Sequence, residues 1–417
     1  MKKIITSLAL IQVSLILFGQ IVADHRAVDR YDDIPQQYID KVKKMLVFVG
    51  GESHASGYRH GLDILEQYDS KFQVLTYTTE PPPSHSVLYL RFGQLFNLGE
   101  QIYTSSSYRA TLKSVIKSYN DSGNPFDVAG FGWCYDMTWV NPPGGTEDPV
   151  YKVRWAGTSE GGPDGDMRWG LDSDDEALTG NSVCMDTYLN AIIDYNQYFV
   201  NQNIPTTMVF TTGPVDGYSG TENGFQREIK HNYIRSFVAE NSNRILFDYA
   251  DILCWNNDGE KYVVNWNDDG TIRPHAQIHP DNQKNYDNSW HIIASNDDDG
   301  DHIGEVGALR LAKAMWWLLA RMAGWDDELS SAVNDADDTI VDEPKVSFDS
   351  RQLIIDSPDL YMNGQIEIFN SLGSLVETKH ISNDINYFDT GRLSSGLYFV
   401  VLSKDNNRVV SKVALSR

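Results

Sequence analysis

Five short apolar runs, each followed by a stretch with helical spacing, limit what this chain can fold into. They lie at residues 43–49, 72–78, 126–133, 206–212 and 244–249. The first ends in Gly50-Gly51 and the fourth in Gly213-Pro214. Apolar residues at a period near 3.6 mark helices over about 59–67, 107–119, 181–202, 226–240 and 305–323. The runs are apolar almost throughout, where a half-exposed strand would alternate. Strands of that kind are buried on both faces, which calls for a parallel sheet with helices on either side. The expected fold class is therefore α/β, a three-layer α/β/α sandwich around a five-stranded parallel sheet.

About 300 residues is large for one such domain. Two polar stretches account for the excess, a Gly-, Pro-, Asp- and Trp-rich insert at about 135–180 and a second region at 254–290. The ends have other textures. Met1-Lys2-Lys3, an apolar run and a small residue before a polar start read as a signal peptide, residues 1–23, cut near Ala23. The main domain then spans 24–325. Residues 326–344 form an acidic linker, and 345–417 carry period-2 alternation and tight turns, the pattern of a small C-terminal β-sandwich. After signal cleavage no stretch is long and apolar enough to span a membrane. Cys134, Cys184 and Cys254 allow at most one disulfide, and the sequence does not choose the pair.

A net charge of −24 argues against nucleic acid or an anionic membrane surface as partner, since either needs a basic face. No Gly-rich phosphate loop or dinucleotide fingerprint is present, and the acidic loops around Gly300, Gly270 and Asp172 fail the EF-hand spacing. Neither a metal nor a cofactor is expected.

The most reactive-looking stretch is Asn296-Asp297-Asp298-Asp299-Gly300-Asp301-His302-Ile303-Gly304, on the lip of the last helix. There Asp299 can fix the ring tautomer of His302 while the other nitrogen acts as general base. The nucleophile would be Ser53, just past the first strand, with Ser56 as its rival. A serine at this place also serves as a helix N-cap. His54 and His60 read as surface residues, and His279-Pro280-Asp281 as a turn. Asp136 and Asp216, after the third and fourth strands, contact substrate or cap the next segment. Trp133, Trp139, Trp155 and Trp169 sit among Gly, Asp and Arg, and suit either stacking on sugar rings or a satellite core beneath a long loop.

Two resemblances organise these residues. Gly51-Glu52-Ser53-His54-Ala55-Ser56-Gly57-Tyr58 resembles the Gly-Asp-Ser block of SGNH (GDSL-like) hydrolases. Asp299-Gly300-Asp301-His302, followed by Gly304 and Gly307, resembles that family's closing Asp-x-x-His block. The resemblance implies strand order 2-1-3-4-5, with Ser53, His302 and Asp299 as the catalytic set. In that order a crevice opens between strands 1 and 3, where Ser53 and the run Trp133-Cys134-Tyr135-Asp136 would meet. The family's Gly-x-Asn-Asp block is replaced here by Gly132-Trp133-Cys134-Tyr135-Asp136, which lacks the oxyanion-binding Asn, and Glu52 stands for the usual Asp. Gly93 is the second-block glycine and a backbone oxyanion donor. Cys134, Asp136, Trp133 and Trp139 complete the oxyanion and substrate set.

The tail resembles the C-terminal sorting domain of type IX secretion substrates, through Ile366-Glu367-Ile368-Phe369-Asn370-Ser371-Leu372-Gly373, Phe388-Asp389-Thr390-Gly391-Arg392-Leu393-Ser394-Ser395-Gly396-Leu397-Tyr398-Phe399 and Lys412-Val413-Ala414-Leu415-Ser416-Arg417. That implies a Bacteroidetes-type bacterium, passage through the outer membrane and the type IX secretion machinery as partner. Together the resemblances imply a secreted serine esterase of the SGNH type, a carbohydrate-esterase-like enzyme removing acetyl or other acyl groups from an extracellular polysaccharide. The rival readings are a non-catalytic glycan-binding surface protein on the same scaffold, and a glycosidase or lyase that uses the acidic residues.

Overall fold

The structure is a computed structural model. It describes residues 20–51, 54–82, 89–95, 98–133, 145–156, 168–215, 220–283 and 303–327. In the C-terminal part it describes 345–349, 352–356, 361–370, 375–383, 385–389, 393, 396–404 and 407–415.

The chain opens with β1 (Val22–Ala23), α1 (His25–Asp29) and α2 (Gln36–Val42), and continues through β2 (Leu46–Gly51), α3 (Ala55–Tyr68) and β3 (Val74–Tyr77). Next come β4 (Leu90–Leu95), α4 (Gln101–Thr104), α5 (Ser106–Asp121) and β5 (Val128–Gly132), then α6 (Glu176–Thr179), α7 (Met185–Asn201), β6 (Thr207–Met208) and β7 (Phe210–Thr211). The domain closes with α8 (Glu222–Ala239), β8 (Leu246–Phe247), α9 (Tyr249–Cys254), the hairpin β9 (Val263–Asp268) and β10 (Thr271–Ala276), and α10 (Glu305–Met322).

A five-stranded sheet runs β3-β4-β2-β5-β6, and every pair in it is parallel. A three-stranded parallel sheet, β1-β8-β7, continues it. The join is a single chain segment. β6 pairs with β5, the Val209 amide donates to Ala129 at 2.9 Å, and the Phe210 amide then turns to Ile245 at 2.9 Å. All six residues of β2 are buried, as its unbroken apolar run requires. One core lies under α3, α9 and α10, and the other under α5, α7 and α8.

The expected strands are all present, but the run at 72–78 is not the neighbour of the run at 43–49. β4, which the apolar pattern did not show, stands between them. Its period is interrupted by Arg91, Gly93 and Gln94, all buried. Arg91 is accommodated by the Pro82 carbonyl and Asn124 Oδ1, at 3.1 and 2.7 Å. The polar region at 254–290 also holds a regular element, the antiparallel hairpin β9–β10.

The residues just before the expected leader cut are packed. Ala23, expected as the last leader residue, is fully buried and pairs with Phe247. β1, which precedes the expected cut, is thus packed against β8. Cys184 and Cys254 are buried and free, Cys184 at the N-terminal end of α7 and Cys254 at the end of α9, in the other core.

The C-terminal part has strands β11 (Lys345–Asp349), β12 (Gln352–Asp356), β13 (Gln365–Asn370), β14 (Leu375–His380), β15 (Ile385–Asp389), β16 (Gly396–Lys404) and β17 (Asn407–Leu415). They form two antiparallel sheets, β11-β12-β15 and β14-β13-β16-β17. Leu353, Ile355, Ile366, Ile368, Val400 and Leu402 are fully buried in a core of their own.

Candidate active site at the carboxyl edge of the sheet

In a parallel α/β sheet the functional edge lies past the carboxyl ends of the strands. Here the turn out of β2 is tightly packed. Gly51 has φ +114°, a left-handed value that favours glycine, and a Cβ on it would lie 2.1 Å from the Gly132 carbonyl oxygen. A Cβ on Gly132 would in turn lie 2.6 Å from that of Ala55, the first residue of α3. The exit of β2, the exit of β5 and the first turn of α3 are thus pressed together with little but backbone between them. Ser53 belongs to this turn in sequence, but it and Glu52 lie outside the described residues, as do Asp299 and His302.

The frame around those residues is described. α3 forms because Tyr58, Leu62 and Leu65 recur on one buried face, and it stops at Asp69, which has extended backbone. Next to that face sit Gly57 and Gly61, four residues apart and therefore neighbours along the helix. They receive α10. A Cβ at Gly57 would fall 2.5 Å from Ile303 Cδ1, and one at Gly61 would fall 1.9 Å from the Ala308 carbonyl oxygen. Ile303 is buried and bridges to Gln283. The Gly304 amide donates to the Asn282 carbonyl at 2.7 Å. Gly304 and Gly307, read with the histidine block, have a packing reason. Cβ atoms there would lie 2.6 Å from the Gln283 oxygen and 2.7 Å from the Asn282 oxygen. Asn282, fully buried, is itself pinned through Nδ2 to the Leu253 and Trp255 carbonyls, at 2.9 and 2.7 Å. The residue after His302 and the residue one helical turn past Ser53 are therefore in contact.

Ser56, the rival nucleophile, is buried and accepts a hydrogen bond from Gln94 Nε2 at 2.9 Å. Gln94 Oε1 accepts in turn from Arg59 Nε at 3.1 Å. An internal network uses Ser56. His54 and His60 are buried, not on the surface, with His54 edge-on to the Tyr249 ring and His60 beside Arg59. His279 makes the expected turn, its Nδ1 accepting from the Asp281 amide at 3.1 Å.

Gly93 and Trp133 are packed inside the domain. Gly93 is in mid-strand, flanked by Phe48 of β2 and Tyr77 of β3, and a Cβ there would lie 2.2 Å from the Tyr77 ring. Its lack of a side chain serves packing, and a mid-strand position between two partners is not where a free oxyanion donor sits. Trp133 is buried against Phe131 and Tyr188, with ring centroids 4.9 and 4.7 Å away. A ring with no exposed face cannot stack on a sugar. Trp155 and Trp169 are likewise fully buried. Trp155 Nε1 donates to Asp148 Oδ2 at 3.1 Å. The described tryptophans of the insert are core. Cys134, Asp136, Trp139 and Asp216 lie outside the described residues.

A cluster without any signal in the sequence lies where the N-terminal segment meets α9. Ligand atoms of Asp24, His25 and Asp251 lie within 4.8 Å of one another, the one group of that kind found among the described residues. Its members are already engaged. Asp251 Oδ2 meets His25 Nδ1 at 2.5 Å and accepts from the His25 amide at 2.9 Å, while Arg26 Nη2 donates to Asp24 at 2.6 Å. Trp255 stacks on the His25 ring, centroids 4.0 Å apart. Burial alone would raise the Asp251 carboxyl, but the hydrogen bond and charge of His25 hold it well below the ordinary carboxylate range. The group reads as a fastening of the N-terminal segment to α9. No signal short of the fold could have joined residues 24 and 251.

Comparison with known proteins bears on the other end of the chain. Residues 349–416 match the family model described as the secretion system C-terminal sorting domain. The chain carries a type IX sorting domain. It is an exported protein, attached at the cell surface or released from it. No curated protein matches the chain. Among solved structures, a Cellulomonas fimi endo-beta-1,4-mannanase double mutant is 9% identical, with 94% of this chain and 99% of that one covered and a TM-score of 0.17. A likeness at that score carries no argument about fold or activity. Among the described residues no helix is long and apolar enough to cross a membrane.

Proposed function

We propose that this exported protein is a serine esterase of the SGNH type that removes acyl groups, acetyl above all, from an extracellular polysaccharide. Ser53 attacks the ester carbonyl, His302 takes its proton and returns it to the leaving sugar hydroxyl, and Asp299 orients the imidazole. Water activated by His302 then releases the acid. The observation that carries this reading is the contact of Ile303 with Gly57 at the carboxyl edge of the sheet. It joins two segments that are about 250 residues apart, one four residues after Ser53 and one directly after His302, which supports pairing that serine with that histidine. The engagement of Ser56 by Gln94 favours Ser53 over its rival. The glycan half of the reading rests on export by the sorting domain; the buried Trp133, Trp155 and Trp169 lend it nothing.

The test is acyl release from p-nitrophenyl acetate and from acetylated polysaccharides, measured beside Ser53→Ala and His302→Ala. Loss in both variants is expected, by a factor on the order of 10³ or more. Release that persists in both would end the esterase reading. Chain scission without acyl release would turn it toward glycosidase or lyase chemistry.

A further inference from the structure

We propose that the leader is removed at or before the Gly19–Gln20 bond, so that the exported protein keeps residues 20–23 as a structural edge. The proposal rests on the leader reading and is independent of the esterase reading. Three observations carry it.

The first is β1. Val22 and Ala23 pair in parallel with Leu246 and Phe247, and Ala23 is fully buried. The Leu246 amide donates to the Ile21 carbonyl at 3.1 Å and the Asp248 amide to the Ala23 carbonyl at 2.8 Å. A cut after Ala23 would strip both acceptors and leave β8 as an open sheet edge, which natural proteins avoid.

The second is Gln20. Its side-chain Nε2 lies 2.6, 3.1 and 3.3 Å from the carbonyls of Val238, Asn241 and Arg244. The last carbonyls of a helix have no partner within it. The Gln20 side chain therefore ties the N-terminal segment to the Val238 carbonyl near the end of α8, which also accepts the Asn241 amide, and to the turn that follows; a chain starting at Asp24 would lack that tie.

The third is the segment after β1. The His25 amide and ring are fastened to Asp251, and Ala27 and Val28 are buried in the core that holds α10. Arg30 Nη2 reaches Asp327 at 2.7 Å, beyond the end of α10. The segment is woven into late parts of the domain from its first described residue. Gly19 meets the need for a small residue on the leader side of the cut.

The test is N-terminal peptide sequencing, by mass spectrometry, of the full chain recovered from an exporting host. The expected first residue is Gln20 or one before it; a Gln20 cyclised with loss of ammonia counts as the same terminus. A terminus at Ile21 or later overturns the proposal. Urea unfolding supplies a second arm, using leaderless chains that begin at Gln20 or at Asp24 and otherwise run to Arg417. The Asp24 chain is expected to unfold at lower urea or to fail to fold, and equal midpoints overturn the structural argument. Gln20→Ala, which keeps the strand and removes the amide, is expected to fall between the two. A midpoint unchanged from the Gln20 chain would remove Gln20 from the argument and with it the reason for a cut that spares it.

Discussion

Two regions of the main domain are built in opposite ways. The described part of the insert packs through large rings: Trp155 and Trp169 are fully buried in the core that holds Trp133, Tyr103 and Tyr188. The corner where α3 meets α10 is filled by absence. Gly57 and Gly61 let Ile303 and the Ala308 carbonyl approach α3 closely, and beside them Gly51 and Gly132 let the exits of β2 and β5 close on each other and on Ala55. The rings of the insert draw attention as a sugar platform and turn out to be core, while the corner draws attention for its serine and histidine and brings distant segments together through its glycines. Aromatic content reports buried area, whereas glycines that face a neighbouring backbone report position.

The contrast is testable, and the largest effect belongs to the rings. Trp133→Ala removes a ring that is packed on several sides and is expected to cost about 3–5 kcal/mol, read as a lower urea midpoint. Glycan affinity per folded molecule should not change. A variant that folds normally but loses polysaccharide binding would return Trp133 to the substrate face.

Next comes Gly61→Ala. In a helix interior, alanine normally gains up to about 1 kcal/mol over glycine. Here the new methyl meets the Ala308 carbonyl, a backbone atom that cannot turn away, at 1.9 Å. The expected sign is therefore reversed, with a net loss of about 1–3 kcal/mol by thermal or urea unfolding. A stabilised Gly61→Ala would mean that α3 and α10 do not touch there.

Gly57→Ala separates position from stability. The clash is with Ile303 Cδ1, the far end of a flexible side chain, so folding should change by less than about 1 kcal/mol. Ile303 adjoins His302, and a misplacement of about 1 Å in a catalytic group can cost ~100-fold. Acyl release from p-nitrophenyl acetate is expected to fall at least ~10-fold with the midpoint nearly unchanged. Equal activity would show that the Ile303 contact does not place the base.

These residues also show how much was legible. β2, β5 and β8 announce themselves because a strand buried on both faces must be apolar throughout. β4 did not, because Arg91 and Gln94 are buried with partners supplied by other segments, and period alone cannot see a partner. The packing of β1 is hidden in the sequence for a related reason. Ile21, Val22 and Ala23 continue the apolar run of a leader, and only the pairing with β8 shows that they belong to the domain. Ser53 and His302 were singled out by the company they keep in sequence. The Gly57–Ile303 contact that supports them was not, since a glycine in a helix gives no hint of what it faces.

The remaining effect is in the insert and depends on pH. Asp175 accepts the Leu171 amide at 2.6 Å. Burial, and then the charges of Asp148 and Asp172, push its carboxyl up to about 7. An acid whose folded pKa lies above its unfolded value binds its proton more tightly when folded. Its contribution therefore favours the folded state at low pH and is lost as pH rises from about 4 to about 7. Asp175→Asn keeps an oxygen for the Leu171 amide and removes the charge. At pH 8 the variant should be the more stable chain, with the higher Tm, by about 1.4 kcal/mol for each unit by which burial raises the carboxyl. At pH 4.5, where Asp175 carries its proton in the folded protein, the two chains should melt together. Shifted groups that do not interact with Asp175 act on both chains alike, so the difference between the melting curves isolates Asp175 together with the neighbours coupled to it. A gap that stays constant across that range, or that widens toward acid, would mean that the insert does not hold Asp175 as a buried acid.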